Sequence, residues 1–308
     1  MHDYKQRYGS PMINMDLKGM GVALITPFKE DGSVDFDALI KVIEYQVQNG
    51  TDYIVVLGTT AETATLTEDE KSEIIKTTIV QVRSQIPIVL GVSSNCTRSV
   101  VKQLKEDDYH GIDAIMSVVP YYNKPSQEGI YQHFKAVADA APLPLIIYNV
   151  PSRTGVNMTA ETTLRIANDF ENVIAIKEAS GNLEQINDII KNKPEHFQVI
   201  SGDDAMALQL IELGGVGVIS VLGNAYPKEF CRMVRLALSG DYENARTIHT
   251  RFLELFELLF VDGSPAGVKS LMSIMGLVEN KLRLPLVPAR ITTHKKIQEI
   301  INNGIING

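Results

Sequence analysis

Cysteine is scarce in this chain: Cys96 and Cys231 are the only two in 308 residues. Two isolated thiols build neither a disulfide framework nor a structural zinc site, and their rarity fits a reducing compartment. A block of Lys and Arg is also missing. With 37 acidic against 29 basic side chains the formal net charge is −8, which argues against nucleic acid or an anionic membrane as the main partner. No apolar run approaches the roughly 18 residues of a bilayer-spanning helix; the greasiest stretch, Phe252 to Val261, is broken by Glu254 and Glu257. Residues 1–16 are mixed and polar, without the apolar centre of a secretory signal. A flexible N-terminal tail on a cytoplasmic protein is the expectation.

What is present suffices for a large core. Apolar residues make up 44% and charged residues 21%, which excludes intrinsic disorder. Short β-branched runs recur at Val22–Ile25, Tyr53–Leu57, Ile88–Leu90, Ala114–Val118, Leu145–Tyr148, Val173–Ile176, Gln198–Ile200 and Val216–Ile219. Most are apolar throughout, as parallel strands covered on both faces must be. Helical periodicity fills the gaps. In Asp35–Gln48 the residues Phe36, Leu39, Ile40, Ile43 and Val47 form one stripe, and Thr67 with Glu70 makes a capping box. Eight strands with seven intervening helices predict a (β/α)8 TIM barrel over 17–235, in preference to a doubly wound sheet. Helices at Glu229–Leu238, Tyr242–Phe260, Pro265–Met275 and Pro288–Ile301 close the barrel and form a C-terminal appendage over 236–308.

Chemistry in such barrels sits at the carboxyl ends of the strands. In order these ends read Thr26-Pro27, Gly58-Thr59-Thr60-Ala61-Glu62, Gly91-Val92-Ser93, Pro120-Tyr121-Tyr122, Tyr148-Asn149-Val150, Lys177-Glu178, Ser201-Gly202-Asp203-Asp204 and Ser220. Histidine is absent from them. His110 and His196 precede strands, His133 and His249 fall on helices, and His2 and His294 lie near the termini. Asp203 and Asp204 alone make a poor metal site, so neither a metal nor a cofactor is expected. The same acidic pair argues against a phosphorylated substrate, since phosphates gather around strands seven and eight.

Lys177 is the informative residue. A lysine ending a strand ordinarily snorkels to water. This one follows Val173-Ile174-Ala175-Ile176, where a partly desolvated mouth would lower its pKa toward neutrality and leave a nucleophilic amine. Such an amine condenses with a ketone to a Schiff base, whose iminium is an electron sink. Tyr148 and Tyr122 are either aromatic filling for the barrel top or the proton carriers this chemistry requires. Gly58-Thr59-Thr60 is either a plain turn or, through its hydroxyls and free N–H groups, a carboxylate cradle. Arg153 is either a solvated loop charge or a bidentate clamp on a second carboxylate.

The motifs Gly58-Thr59-Thr60-Ala61-Glu62, Tyr121-Tyr122-Asn123-Lys124-Pro125-Ser126-Gln127-Glu128-Gly129, Tyr148-Asn149-Val150-Pro151-Ser152-Arg153-Thr154-Gly155 and Ile176-Lys177-Glu178-Ala179 occur in order. Over about residues 17 to 300 the chain resembles the dihydrodipicolinate synthase family, within the pyruvate-dependent class I aldolases that include N-acetylneuraminate lyase. The resemblance implies condensation of pyruvate with L-aspartate 4-semialdehyde to 4-hydroxy-tetrahydrodipicolinate, in lysine and diaminopimelate biosynthesis. It implies that Lys177 forms the Schiff base, that Tyr148, Thr59 and Tyr122 form a hydroxyl relay, and that Thr60 and the Ile219 backbone hold pyruvate. Arg153 would bind the aldehyde's carboxylate. It further implies a homotetramer, a dimer of dimers in which the residue matching Tyr122 enters the neighbouring site.

Departures from the family pattern are informative. Ala61 replaces the usual glycine and adds a methyl near the pyruvate site. Gly263-Ser264-Pro265-Ala266-Gly267-Val268-Lys269 matches the family's Asn-Pro pattern only in part, and no role is assigned to it. An effector site for L-lysine in relatives matches Thr63, Ala64, Asn95 and Tyr121 here. Two of its histidine positions are Glu68 and Lys71, however, and its glutamate position is Ser99. A cation gained and an acid lost both disfavour an ammonium ligand, so weak or absent feedback is expected. Two alternatives remain: an aldolase for N-acetylneuraminate or 2-keto-3-deoxy sugar acids on the same lysine, and a non-catalytic keto-acid-binding barrel.

Overall fold

The computed structural model describes residues 15–304. The tail expected over 1–16 therefore lies outside the described residues except for Met15 and Asp16. Eight strands, β1 Gly19–Ala23, β2 Tyr53–Val56, β3 Ile88–Gly91, β4 Ala114–Val118, β5 Leu145–Asn149, β6 Val173–Glu178, β7 Gln198–Ser201 and β8 Gly217–Ser220, close into a barrel in sequence order. Every pairing is parallel, and β8 returns to β1 with Gly19 opposite Gly217 and Gly21 opposite Ile219.

Helices follow each strand: α1 Phe36–Gln48, α2 Glu68–Val82, α3 Thr97–Glu106, α4 Gln127–Ala140, α5 Ala160–Asp169, α6 Leu183–Asn192, α7 Ala207–Glu212 and α8 Pro227–Leu238. Local chemistry starts them. Asp35 caps α1 through the Ala38 N–H, and Thr67 and Glu70 form the expected reciprocal box on α2. Beyond the barrel come α9 Tyr242–Arg251, α10 Leu253–Leu258, α11 Ala266–Ile274 and α12 Ile291–Asn302. The expected helix over Tyr242–Phe260 is two helices meeting at Phe252. Among the described residues no helix is long and apolar enough to cross a membrane.

Two apolar layers follow from the period-two geometry of strands. Val22, Ile54, Ile115, Ile147, Ile176 and Val218 face outward into the helix layer. Ala23, Val55, Val89, Met116, Ile146, Ile200 and Ile219 fill the barrel interior. β1 begins three residues before the expected Val22 because its glycines belong to the strand. A Cβ on Gly21 would lie 2.1 Å from the Tyr53 ring, and one on Gly217 of β8 would lie 1.9 Å from the Gly19 carbonyl oxygen. Residues that depress strand propensity are demanded here by close approach.

Asn224, buried in the turn after β8, stitches the closing seam. Its Oδ1 accepts the Ile25 N–H at 3.1 Å, and its Nδ2 donates to the Ala23 and Val221 carbonyls at 2.9 and 3.0 Å. Asn224→Ala removes all three side-chain bonds, taking the acceptor from the Ile25 N–H while the Val221 carbonyl keeps the residue's own N–H, and is expected to lower unfolding free energy by about 2–3 kcal/mol. Urea titration of the variant measures this, and a loss below about 0.5 kcal/mol would contradict the assignment.

Candidate active site

The phase of β6 decides where Lys177 points. Leu145 of β5 pairs with Val173, but the next residue, Ile146, pairs with Ala175. Ile174 is thus one extra residue, a bulge, and both Ile174 and Ala175 belong to the interior cluster. Strict alternation from outward-facing Val173 would send Lys177 outward; the bulge restores it to the inner face, directly opposite Tyr148. Gly202, after β7, clears its path, since a Cβ there would sit 3.0 Å from the Lys177 Cε and 2.9 Å from the Ala179 Cβ.

Lys177 is 5% exposed, and burial pulls its pKa from 10.5 down to about 7. The nearby Asp204 carboxylate opposes that shift and the Arg153 guanidinium reinforces it. The Nζ stands 4.2 Å from the Tyr148 ring centroid. Tyr148 is also buried; desolvation pushes its phenol up to about 12, opposed by the Arg153 charge and by a hydrogen bond from Thr59. An amine partly neutral near pH 7 and a phenol that keeps its proton therefore share one pocket, and a hydroxyl leads outward from the phenol.

Thr59 and Thr60 lie on a single 3₁₀ turn, Thr59–Ala61, after β2. Thr60 is buried, whereas Thr59 is open to the mouth. The turn is held by the Thr26 hydroxyl donating to the Ala61 carbonyl at 2.8 Å and by the Thr63 hydroxyl donating to the Gly58 carbonyl at 2.8 Å. Ala61 is buried and lies outside the positive-φ set, so its backbone has no need of glycine. Ile219 sits in β8 on the interior face. Arg153, on the one-turn helix Pro151–Thr154 after β5, is exposed, yet its charge reaches both Lys177 and Tyr148.

Tyr122 stands apart. It is 83% exposed and adopts a left-handed backbone, φ 74°, with its N–H donating to the Thr154 carbonyl at 3.4 Å. Such a conformation costs a non-glycine residue about 1–2 kcal/mol. Within one chain, Thr59 and Tyr148 are linked and Tyr122 is not. Of the four effector positions, Thr63 and Ala64 follow the Thr59 turn on a second 3₁₀ turn, Thr63–Thr65; Asn95 lies in the loop after β3 and Tyr121 after β4. Ala64, Asn95 and Tyr121 are exposed and Thr63 is half-buried. Lys71 is paired with Glu68 at 2.8 Å.

Two groups take a part in the site that the sequence does not show. Asp204 is buried, its Oδ2 accepting the Val221 and Leu222 N–H groups at 3.0 and 2.7 Å, and desolvation raises its carboxyl to about 6. Asn149 and Glu178, opposite each other at the ends of β5 and β6, form a buried network. The Asn149 amide donates to both Glu178 oxygens at 3.1 and 3.3 Å, and its Oδ1 accepts the Met158 N–H at 3.1 Å. Glu178 also accepts the Ser180 N–H at 2.9 Å. These bonds fix the residues immediately after Tyr148 and Lys177. The available signal was the register: polar residues ending neighbouring apolar strands at paired positions.

A family model for the dihydrodipicolinate synthetase family matches residues 16–303. The chain is 70% identical over 290 residues to the 4-hydroxy-tetrahydrodipicolinate synthase of Parabacteroides distasonis, covering 94% of this chain and 98% of that one. It is 68% identical over 291 residues to the synthase of Phocaeicola vulgatus, with 94% and 98% covered. A solved structure, the chloride-inhibited dihydrodipicolinate synthase from Acinetobacter baumannii complexed with pyruvate, superposes with a TM-score of 0.91 at 38% identity, covering 94% of this chain and 99% of that one. Sequence likeness across nearly the full length, on a barrel that turns one desolvated lysine toward a buried phenol, places this chain in the dihydrodipicolinate synthetase family.

Proposed function

We propose that this chain catalyses the condensation of pyruvate with L-aspartate 4-semialdehyde to 4-hydroxy-tetrahydrodipicolinate through a Schiff base on Lys177. The observation that carries the reading is the inward-facing, buried amine of Lys177, held near pH 7 in pKa and opposite Tyr148. The neutral amine adds to the keto carbon, a proton passed on by Tyr148 lets the carbinolamine hydroxyl leave as water, and an iminium results. Loss of a proton from the methyl carbon gives the enamine, with Tyr148 passing protons through Thr59. The enamine carbon attacks the aldehyde, whose oxygen takes a proton to become the hydroxyl. The aldehyde substrate's own amine then displaces Lys177 and closes the ring. Asp204 supplies the buried countercharge as the positive iminium forms.

The keto-acid carboxylate is assigned to Thr60 and the Ile219 backbone, and the second carboxylate to Arg153, whose planar fork suits bidentate recognition. Tyr122, exposed and unlinked to its own site, fits a relay completed by a second copy, in a homotetramer built as a dimer of dimers. The setting is lysine and diaminopimelate biosynthesis in the cytoplasm. A sugar-acid aldolase or a non-catalytic binding barrel is not favoured, because relatives at 70% and 68% identity carry the synthase name. Thr63, Ala64, Asn95 and Tyr121 are read as a vestigial effector site, where Ser99 removes an acid and the cation of Lys71 is engaged by Glu68.

Borohydride reduction in pyruvate is expected to trap an adduct on Lys177, detected by mass spectrometry and lost in Lys177→Ala; an adduct on another lysine would refute the mechanism. The trapping rate should rise about tenfold per pH unit below the pKa and level off above about 7, because only the neutral amine adds. Lys177→Met should lose activity on the order of 10³-fold or more while melting no lower than wild type at pH 7. The folded pKa lies below the unfolded 10.5, so the amine's penalty is greatest below about 7 and fades as pH rises toward 10.5. Arg153→Ala should raise KM for the aldehyde about tenfold, leave half-saturating pyruvate within about twofold, and move the trapping profile to higher pH. Steady-state rates in sub-millimolar L-lysine should stay unchanged; marked inhibition there would overturn the effector reading.

A further inference from the structure

The C-terminal segment that sequence left without a role ends in Lys269, on α11. Its side chain is wholly buried, and its Nζ lies 2.5 Å from Oε1 of Glu62, whose side chain is also 0% exposed. The ammonium also donates to the Lys281 carbonyl at 2.9 Å and stands 4.1 Å from the Phe28 ring centroid. Glu62 Oε2 accepts the Arg283 N–H at 3.1 Å. The Arg283 guanidinium then spans Glu70, the capping residue of α2, and the Thr65 and Gly32 carbonyls. The helix that delivers Lys269 is seated without slack, since a Cβ on Gly267 would fall 2.5 Å from the Leu259 Cα.

Glu62 is no ordinary surface acid. It joins the turn Thr59–Ala61 to the turn Thr63–Thr65 and takes a left-handed conformation, φ 54°, that costs a residue with a side chain about 1–2 kcal/mol. Burying two charges also costs desolvation, so a pair like this is weak as a source of stability. Both costs fall beside the turn that presents Thr59 and Thr60. We propose that the Glu62–Lys269 ion pair is a positioning device for the keto-acid carboxylate subsite, by which α11 fixes the turn carrying Thr59 and Thr60. The inference rests on the reading of that turn as the pyruvate cradle. Glu62 and Lys269 act through the turn and touch no substrate.

The test compares full-length wild type, Glu62→Gln, Lys269→Met and the double variant Glu62→Gln/Lys269→Gln, which keeps a hydrogen bond without buried charge. For each, the pyruvate concentration giving half-maximal borohydride trapping is measured, together with KM for both substrates. In folded single variants half-saturating pyruvate should rise about tenfold, while KM for the aldehyde stays within about twofold. If a single variant does not fold, the double variant is judged by the same criterion. Half-saturation unchanged in a folded variant, or both KM values rising together, would overturn the inference. So would failure of all three variants to fold, which would make the pair a folding element. Wild type that cannot be trapped at any pyruvate concentration is a distinct result, since it removes the Schiff-base reading and this inference with it.

Discussion

One extra residue in β6 governs the site. A parallel strand alternates its side chains, so the side on which a residue emerges is fixed by parity from the strand's start. Val173 packs outward, and only the insertion of Ile174 returns Lys177 to the interior in register with Tyr148. Every later property of the amine follows from that placement. Inside the barrel it loses water, its ammonium form becomes costly, and its pKa falls to about 7. Outside, among the helices, it would have faced away from Tyr148 and the Thr59 turn.

Burial alone would make a neutral amine but a poor iminium site, because the Schiff base carries the positive charge that desolvation disfavours. The surroundings divide the task. Arg153 works with desolvation against the free ammonium, while Asp204 works the other way. Asp204 is itself held between opposing effects: burial raises its carboxyl to about 6, and the N–H groups of Val221 and Leu222 favour its ionised form. The partial balance suits a group that must be neutral when it attacks and cationic once it has reacted.

Much of the scaffold was legible because local chemistry specified it. Runs of three to five mostly apolar residues mark the strands, and the Thr67–Glu70 pair marks the start of α2. Lys177 stood out as a lone cation after an apolar strand. Features set by long-range packing were not legible. The bulge at Ile174 has no composition mark, because isoleucine suits either face. The glycines of β1 lie outside the expected run Val22–Ile25, and the Tyr53 ring and the closing strand are what require them. The break at Phe252 divides a segment whose residues are helical on both sides. Asp204 was read as half of a weak metal pair, whereas its partners are backbone amides 17 and 18 residues away.

The C-terminal helices are the clearest case of that limit and also change what counts as the site. Read along the sequence they are an appendage, with no motif that names a function. In space, α11 and the loop after it send Lys269 and Arg283 to the same turn from a distance of more than 200 positions in the chain. Arg283 stands 4.5 Å from the Phe28 ring centroid and Lys269 4.1 Å from it, so one aromatic ring lies beside two cations, Lys269 paired with Glu62 and the Arg283 guanidinium paired with Glu70. A cluster of this kind is rigid because each member has few alternatives: moving Glu62 would strand a buried ammonium, and moving Lys269 would strand a buried carboxylate. The barrel supplies the nucleophile, and the appended helices limit how far the turn beside it can move.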